Sequence, residues 1–325
     1  MKIKEGSRVC CLGDSITDMG FWIYDINGYL ADIGSKTRFY NCGIGGNMSS
    51  DAPYYLEDEV LKLDPDYVIV MFGANDVGQY LYQKKPAGEE IPEDERKDDI
   101  AKRRKSYEVN MKIICQMLIQ RDVNVILMTP LAFDDCDRSN TADVMHGASN
   151  ELEYYGEIVK NIAKENGADV LELHKNFKAA GDCLEKDGIR LYEDDRVHPS
   201  RNGFKIMASI VLKHLEYDVD IPTSRAELDK LPFVNTEKND ARFETEKKVR
   251  EMSFIEHGRY KYENRKRYYS SWEEIAQDLT RCCFEGDLAA WESLDRYKER
   301  AKRYILNRPR RGEILRLLIK QTEEL

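Results

Sequence analysis

The chain has 325 residues, of which 34% are charged and 42% hydrophobic, and its formal net charge is −10 at pH 7. No apolar run reaches 18 residues and the N-terminus lacks the apolar core of a secretory signal, so we expect neither a membrane span nor a leader.

Residues 221–325 hold 23 basic and 20 acidic side chains, which leaves 27 basic and 40 acidic ones in residues 1–220. An acidic main body argues against a nucleic-acid partner, because phosphate binding requires clustered Lys and Arg.

The first apolar run, residues 9–12, is typical of a buried strand, and Gly13 and Asp14 end it. Ser15 follows at the carboxyl end of this strand, where open α/β sheets bind their ligands. A serine that opens a helix has an accessible hydroxyl beside unpaired N–H groups, which favour developing negative charge. The alternative is a purely structural helix cap, since Ser and Asp are the commonest cap residues.

Up to about Tyr217, short apolar strands alternate with amphipathic segments, which is the pattern of a parallel sheet with helices on both faces. Strands are predicted at 9–12, 38–42, 67–72, 123–128 and 170–173. Helices are predicted at 22–33, 53–63, 100–121 and 149–166, with a short one after the fifth strand and a closing one that ends at 215. The polar stretch 77–99 predicts a long loop near the strand ends, either a lid or binding loop or an insertion without a role.

The pattern changes after Asp218. Residues 222–232 resemble a linker, and helical periodicity then returns without a convincing strand, at 244–255, 271–282, 288–306 and 312–323. We therefore expect two domains, residues 1–220 and a helical C-terminal extension over 221–325. The apolar faces of this extension need burial, either on the first domain or across a homodimer.

The eight cysteines contain no C-x-x-C pair. Cys10, Cys11 and Cys115 lie in apolar runs, where cysteine behaves as a small core residue. This usage favours reduced thiols and a cytoplasmic location. We expect no cofactor and no metal, because metal-ligand spacing is lacking among the remaining histidines, His146, His174, His214 and His257.

Four clusters of polar residues and glycines lie at predicted strand ends or in the last loop. They are G-D-S-I-T at 13–17, N-x-G-x-x-G at 41–46, G-x-N-D at 73–76 and D-x-x-H-P at 195–199. Together and in this order they resemble the SGNH hydrolases, the esterases and lipases with a G-D-S-like first block. The resemblance covers roughly residues 6–217. It implies a flavodoxin-like, three-layer α/β/α fold with a five-stranded parallel sheet, and hydrolysis of carboxylic esters through an acyl-enzyme.

Ester cleavage by a serine requires a base, a group that orients the base, and donors for the oxyanion. His198 is the candidate base, because histidine titrates near neutrality. Asp195 lies three residues earlier, so one turn can place its carboxylate beside the imidazole, and Pro199 keeps His198 out of a helix. We therefore predict Ser15, Asp195 and His198 as the catalytic residues. Asp194 is a competing orienter, although its position turns it elsewhere.

The predicted oxyanion hole combines the backbone N–H groups of Ser15 and Gly46 with the side-chain amide of Asn75. Gly46 lacks a Cβ atom, which lets the backbone approach a substrate closely. Taken singly, each residue has a plainer explanation: Asn75 suits an Asx turn, the glycines suit an ordinary turn, and His198 alone suits a structural histidine.

The loops inferred to border the pocket are polar and charged, and no long apolar stretch is available for an acyl groove. The residues on which this rests are Tyr80, Tyr82, Lys84, Lys85, Asp134, Asp135, Asp137 and Arg138. A small acyl group on a polar carrier therefore fits best, which favours an O-acetylated carbohydrate, as a small-molecule or oligosaccharide ester. The alternatives are a lysophospholipase- or thioesterase-type acyl hydrolase, and a non-catalytic carbohydrate- or partner-binding module that retains the site.

Overall fold

The structure is a computed structural model that describes residues 2–85, 88, 90–136, 143–233, 240, 243 and 244. The chain divides into two compact units, residues 1–239 and residues 240–325. The helices predicted after residue 244 lie outside the described residues. Within the described part, no helix is both long enough and apolar enough to cross a membrane.

Five parallel strands form one sheet within the described residues. They are β1 (Arg8–Gly13), β2 (Arg38–Gly43), β3 (Tyr67–Met71), β4 (Asn124–Met128) and β5 (Asp169–Leu171). Their order across the sheet is β2-β1-β3-β4-β5. This is the flavodoxin-like order, in which the chain reverses direction across the sheet between β1 and β3 and ligands bind beyond the carboxyl ends there. The predicted α/β fold with a five-stranded parallel sheet is confirmed.

The helices cover the sheet in two layers. They are α1 (Ser15–Asp18), α2 (Phe21–Asp32), α3 (Glu93–Ile119), α4 (Ala148–Asn166), α5 (Leu173–Leu184), α6 (Arg201–His214) and α7 (Arg225–Leu228). In one layer α6 packs against both α2 and α5, and in the other α3 packs against α4. The strands are buried between these layers, and Cys10, Cys11 and Cys115 are at most 1% exposed, as core residues. These cysteines are free thiols.

The segment predicted as a helix at 53–63 is helical, but it is not a continuous α-helix. This segment is a 3-10 turn at Ala52–Tyr54, a π-helical turn at Leu56–Val60 and a second 3-10 turn at Leu61–Leu63. Leu56 and Val60 are fully buried. One apolar residue per turn suits any of these helix types, so the spacing did not distinguish their hydrogen-bond patterns.

The polar stretch 77–99 is only partly a loop, because α3 begins at Glu93. Its first turn holds Glu93, Asp94 and Glu95 after Pro92, and acidic side chains stabilise a helix N-terminus. The charge string that predicted a loop is thus a helix start. Further along, the stretch predicted as a linker contains α7, and Leu228 at its end is 6% exposed.

Candidate active site

Ser15 is the first residue of α1, directly after β1. Asp14 caps this helix, since its Oδ1 accepts the Ile16 N–H at 3.0 Å. The N–H groups of a first helical turn have no acceptor within the helix, so the Ser15 N–H is left for another partner. The local sequence therefore presents a hydroxyl and a backbone donor at the carboxyl edge of the sheet.

Glycines bring the neighbouring strands against this short helix. A Cβ atom on Gly43, at the end of β2, would lie 2.3 Å from the Asp18 nitrogen and 2.7 Å from the Thr17 carbonyl carbon. A Cβ atom on Gly13 would lie 2.6 Å from the Met71 oxygen. Contacts below 3.0 Å leave no room for a side chain, so the position of Ser15 depends on these two glycines.

His198 and Asp195 lie in a tight loop between α5 and α6. An antiparallel bridge joins Tyr192 to Pro199, and the Glu193 N–H donates to the His198 oxygen at 2.8 Å. Ser200 caps α6, with its Oγ accepting from the Gly203 N–H, so Pro199 precedes the cap and is not in the first turn of the helix. These backbone hydrogen bonds hold the two ends of the loop against each other.

The structure brings the three predicted catalytic side chains together. Ser15 Oγ lies 2.8 Å from His198 Nε2, although 183 positions separate them, and His198 Nδ1 lies 2.6 Å from Asp195 Oδ2. Asp195 Oδ1 accepts the N–H groups of Val197 and His198 at 3.0 and 2.9 Å. Asp194, the competing orienter, instead accepts from Arg190 at 2.7 Å.

The Asp195 carboxylate is stabilised as an anion. Burial on its own would raise its pKa, but the His198 ring and the N–H groups of His198 and Val197 outweigh burial and lower the pKa to about 2. An ionised Asp195 accepts from Nδ1–H, which leaves Nε2 of a neutral imidazole free to accept the Ser15 proton.

The other two predicted donor residues lie in loops that are bonded to each other. Asn75 follows β3, and its Nδ2 donates to the Asn47 oxygen at 2.9 Å, next to Gly46. Gly46 has a φ of +79°, a backbone conformation that favours glycine. The loop of Gly46 is also bonded to the end of β1, shortly before Ser15, because the Ile44 N–H donates to the Gly13 oxygen at 2.9 Å.

Two buried carboxyl groups at the site were not assigned a chemical role from the sequence. Asp14 is 1% exposed and Asp76, the last residue of G-x-N-D, is 6% exposed. Burial raises the pKa of Asp14 to about 7 and that of Asp76 to about 6. The negative charge of Asp76 adds to the shift of Asp14, while the Ile16 N–H opposes it.

A cleft of about 440 Å³ opens beside His198. Six of the eight residues that line it are polar or charged. They come from the loop before α3, the segment before α4 and the loop that holds Asp195 and His198: Gln79, Gln83, Lys84, Asp143, Met145, Asp195, Val197 and His198. Part of the predicted 77–99 loop therefore borders the site.

Only some of the residues predicted to border the pocket line the cleft. Lys84 does line the cleft. Tyr82 is 7% exposed, Tyr80 donates to Asp99 at 2.7 Å, and Asp134 is buried away from the cleft against two arginines. Asp137 and Arg138 lie outside the described residues.

Residues 11–206 match the sequence profile of the GDSL-like Lipase/Acylhydrolase family. An acetylxylan esterase of Geobacillus stearothermophilus is 26% identical over 235 residues, which cover 67% of this chain and 98% of that protein. The crystal structure of this esterase superposes with a TM-score of 0.52 at 24% identity, again over 67% of this chain and 98% of that one. Other structures of it are described as catalytic mutants at one serine, one aspartate and one histidine.

A second solved structure, a gut microbial diltiazem-metabolizing enzyme, superposes with a TM-score of 0.59 at 23% identity. The match covers 66% of this chain and 48% of that one, so the present chain spans about half of that enzyme. At this identity the likeness establishes the shared fold. The family match confirms the resemblance drawn from the four sequence clusters.

Proposed function

The chain belongs to the GDSL-like lipase/acylhydrolase family and is a carboxylic ester hydrolase, and we propose that Ser15 is its nucleophile, His198 its general base and Asp195 the group that orients His198. The observation that carries this proposal is the unbroken series of contacts from Ser15 Oγ through the imidazole to the Asp195 carboxylate, at 2.8 and 2.6 Å. Both distances are within hydrogen-bond reach, and the first is one over which a base accepts a hydroxyl proton.

In the acylation step, His198 Nε2 takes the proton of Ser15 as Oγ bonds to the ester carbonyl carbon. The carbonyl oxygen becomes an oxyanion, and the tetrahedral intermediate collapses when the carbon–oxygen bond to the alcohol breaks and His198 returns the proton to that alcohol. A water molecule then attacks the acyl-serine by the same route, which releases the acid and restores Ser15. Asp195 stays ionised throughout and stabilises the imidazolium.

The oxyanion would be held by the N–H groups of Ser15 and Gly46 and by the Asn75 amide. Asn75 Nδ2 carries two hydrogens and uses one on Asn47, so the second remains for the substrate. Donors that are held in place before the reaction stabilise the developing charge without reorganisation. The hydrogen bonds among the loops of Gly46, Asn75 and Ser15 support this role.

We propose that the substrate is an O-acetylated carbohydrate. The cleft beside His198 presents amide, ammonium and carboxylate groups from Gln79, Gln83, Lys84 and Asp143, which suit the hydroxyl groups of a sugar better than an acyl chain. The relative from Geobacillus stearothermophilus is described as an acetylxylan esterase, which favours the same choice.

Acyl-chain length provides the test. Rates of hydrolysis of p-nitrophenyl acetate, butyrate and octanoate should fall as the chain lengthens, and acetylated xylo-oligosaccharides should release acetate. A preference for octanoate would overturn the proposal and favour a lysophospholipase- or thioesterase-type hydrolase.

Homodimerisation through residues 221–325 and a cytoplasmic location stay predictions, as does the division at residue 220. Size-exclusion chromatography of the full chain and of residues 1–239 tests the first of these. A dimeric full chain and a monomeric shorter chain would support it, and the same oligomeric state for both would contradict it.

A further inference from the structure

The catalytic loop contains a buried arginine that the mechanism does not use. Arg196 lies between Asp195 and His198, yet its side chain is 1% exposed. Its φ is +65°, in the left-handed region that non-glycine residues seldom adopt. Arginine is almost never buried this completely unless its charge is paired. The Arg196 side chain therefore points into the protein, while the residues on either side of it, Asp195 and Val197, line the cleft.

Asp134, which follows β4, holds Arg196 by both side chain and backbone. Its carboxylate is 2% exposed and lies 3.8 Å from the Arg196 guanidinium. Its backbone N–H donates to the Arg196 oxygen at 2.9 Å. Arg196 also donates to the backbone oxygen of Cys136, which lies two residues after Asp134. One segment of chain thus fixes the middle of the catalytic loop.

Arg190 extends this contact to the start of the loop. Its Nε and Nη2 donate to Asp134 Oδ2 at 3.2 and 3.1 Å, and Nη2 also donates to the Glu193 oxygen at 2.8 Å. Its Nη1 donates to Asp194 at 2.7 Å. Two guanidinium groups therefore meet one buried carboxylate: Arg196 directly follows Asp195, and Arg190 donates to Asp194, which directly precedes it.

We propose that Arg196 and Asp134 are positioning residues for the ester hydrolase: they hold the catalytic loop so that Asp195 contacts His198 and His198 faces Ser15. Neither lines the cleft, so both act through the loop. This inference rests on the proposed function, because it concerns the geometry of those three residues. A base displaced by about 1 Å costs on the order of 10²-fold in rate.

Arg196→Met is the most informative variant. The methionine fills much of the same space, and Asp134 keeps its contacts with Arg190, so no buried carboxylate is left unpaired. Arg196→Lys retains the charge but loses the planar fork. Asp25→Asn is a matched control: Asp25 is 0% exposed and accepts two hydrogen bonds from Arg201 at 2.6 Å, and this ion pair joins α2 to α6 outside the catalytic loop.

The measurements are kcat and KM on p-nitrophenyl acetate, the thermal midpoint, and the far-downfield proton resonance of His198 Nδ1–H. Arg196→Met should lower kcat by about 10- to 100-fold with KM changed by less than about twofold, and should weaken the resonance. Arg196→Lys should retain a larger part of the wild-type kcat than Arg196→Met does. Asp25→Asn should lower the thermal midpoint and leave kcat and the resonance unchanged.

A wild-type kcat and resonance in Arg196→Met would overturn the inference, even with a lowered thermal midpoint. If Arg196→Met does not fold, a wild-type kcat and resonance in Arg196→Lys would overturn the inference instead. Ser15→Ala, assayed in parallel, separates the two proposals: retained hydrolysis there would overturn the proposed function, while the resonance in the Arg196 variants still reports on positioning.

Discussion

The carboxylate of Asp76 accepts two hydrogen bonds from Ser49 through one oxygen, from the backbone N–H at 2.9 Å and from the hydroxyl at 2.6 Å. Its second oxygen, Oδ2, has no hydrogen-bond partner in the part of the chain that the structure describes. This contact ties the loop of Gly46 to the loop of Asn75. Asp76 thus joins the two loops that supply the proposed oxyanion donors.

Asp76→Asn should flatten the pH dependence of stability. The pKa of Asp76 is about 6 in the folded chain, above the ordinary value of 3.8, so its contribution is fully present below pH 3.8 and is lost as the pH rises through 6. About two pKa units correspond to about 3 kcal/mol. Asparagine keeps an acceptor for Ser49 and removes the buried charge, so the variant should lose less stability than the wild type between pH 4 and 8.

Urea unfolding at pH 4, 6 and 8 measures this difference. Asp14, with a pKa of about 7, acts in the same direction and leaves part of the slope in the variant. Asp195 acts oppositely: its pKa of about 2 means that its contribution is present above 3.8 and is lost as the pH falls through 2. An unchanged slope in Asp76→Asn would contradict the assignment.

Ser15→Ala and His198→Ala should each abolish activity with the fold intact, since either change removes the nucleophile or its base. The loss expected in kcat is about 10⁴-fold or more, and Asp195→Asn should cost at most as much. Initial rates on p-nitrophenyl acetate and labelling by a fluorophosphonate probe measure these effects. Labelling that persists in Ser15→Ala would show that another residue is the nucleophile.

Asn75→Ala should lower kcat by about 10²–10³-fold, the usual cost of one oxyanion donor. KM should change little, because the donor acts on charge that develops in the transition state. Steady-state kinetics on an acetyl ester separate the two constants. A raised KM with wild-type kcat would instead assign Asn75 to binding of the ground state.

Gly43→Ala should lower both stability and activity, because the new Cβ atom would meet the backbone of Asp18 and Thr17 at 2.3 and 2.7 Å. That backbone belongs to the helix of Ser15, so relief of the clash displaces the nucleophile. Gly181→Ala is the control: its Cβ atom would meet Leu191 at an ordinary 3.6 Å, and alanine favours a helix by about 0.5–1 kcal/mol. Thermal midpoints and kcat of both variants provide the comparison, and equal effects would contradict the steric argument.

The sequence alone predicted what depends on neighbours along the chain. The apolar runs indicated the strands of the sheet, since alternation and strand-end glycines are local signals. Ser15 was marked by its place after β1, and Asp195 by its spacing of three from His198. These signals were enough to propose the site, because the residues proposed as catalytic lie after a strand end and in one short loop.

Only the tertiary structure decided which charged residues are buried and which partners they have. Asp76 contacts a residue 27 positions away and Arg190 contacts one 56 positions away. Asp134 was assigned to the pocket border from its polarity, but it is buried beside Arg196. The chemical character of a side chain follows from the sequence, whereas its burial depends on segments that meet only after folding. Here that burial joins the loop of Asp195 and His198 to the segment that follows β4.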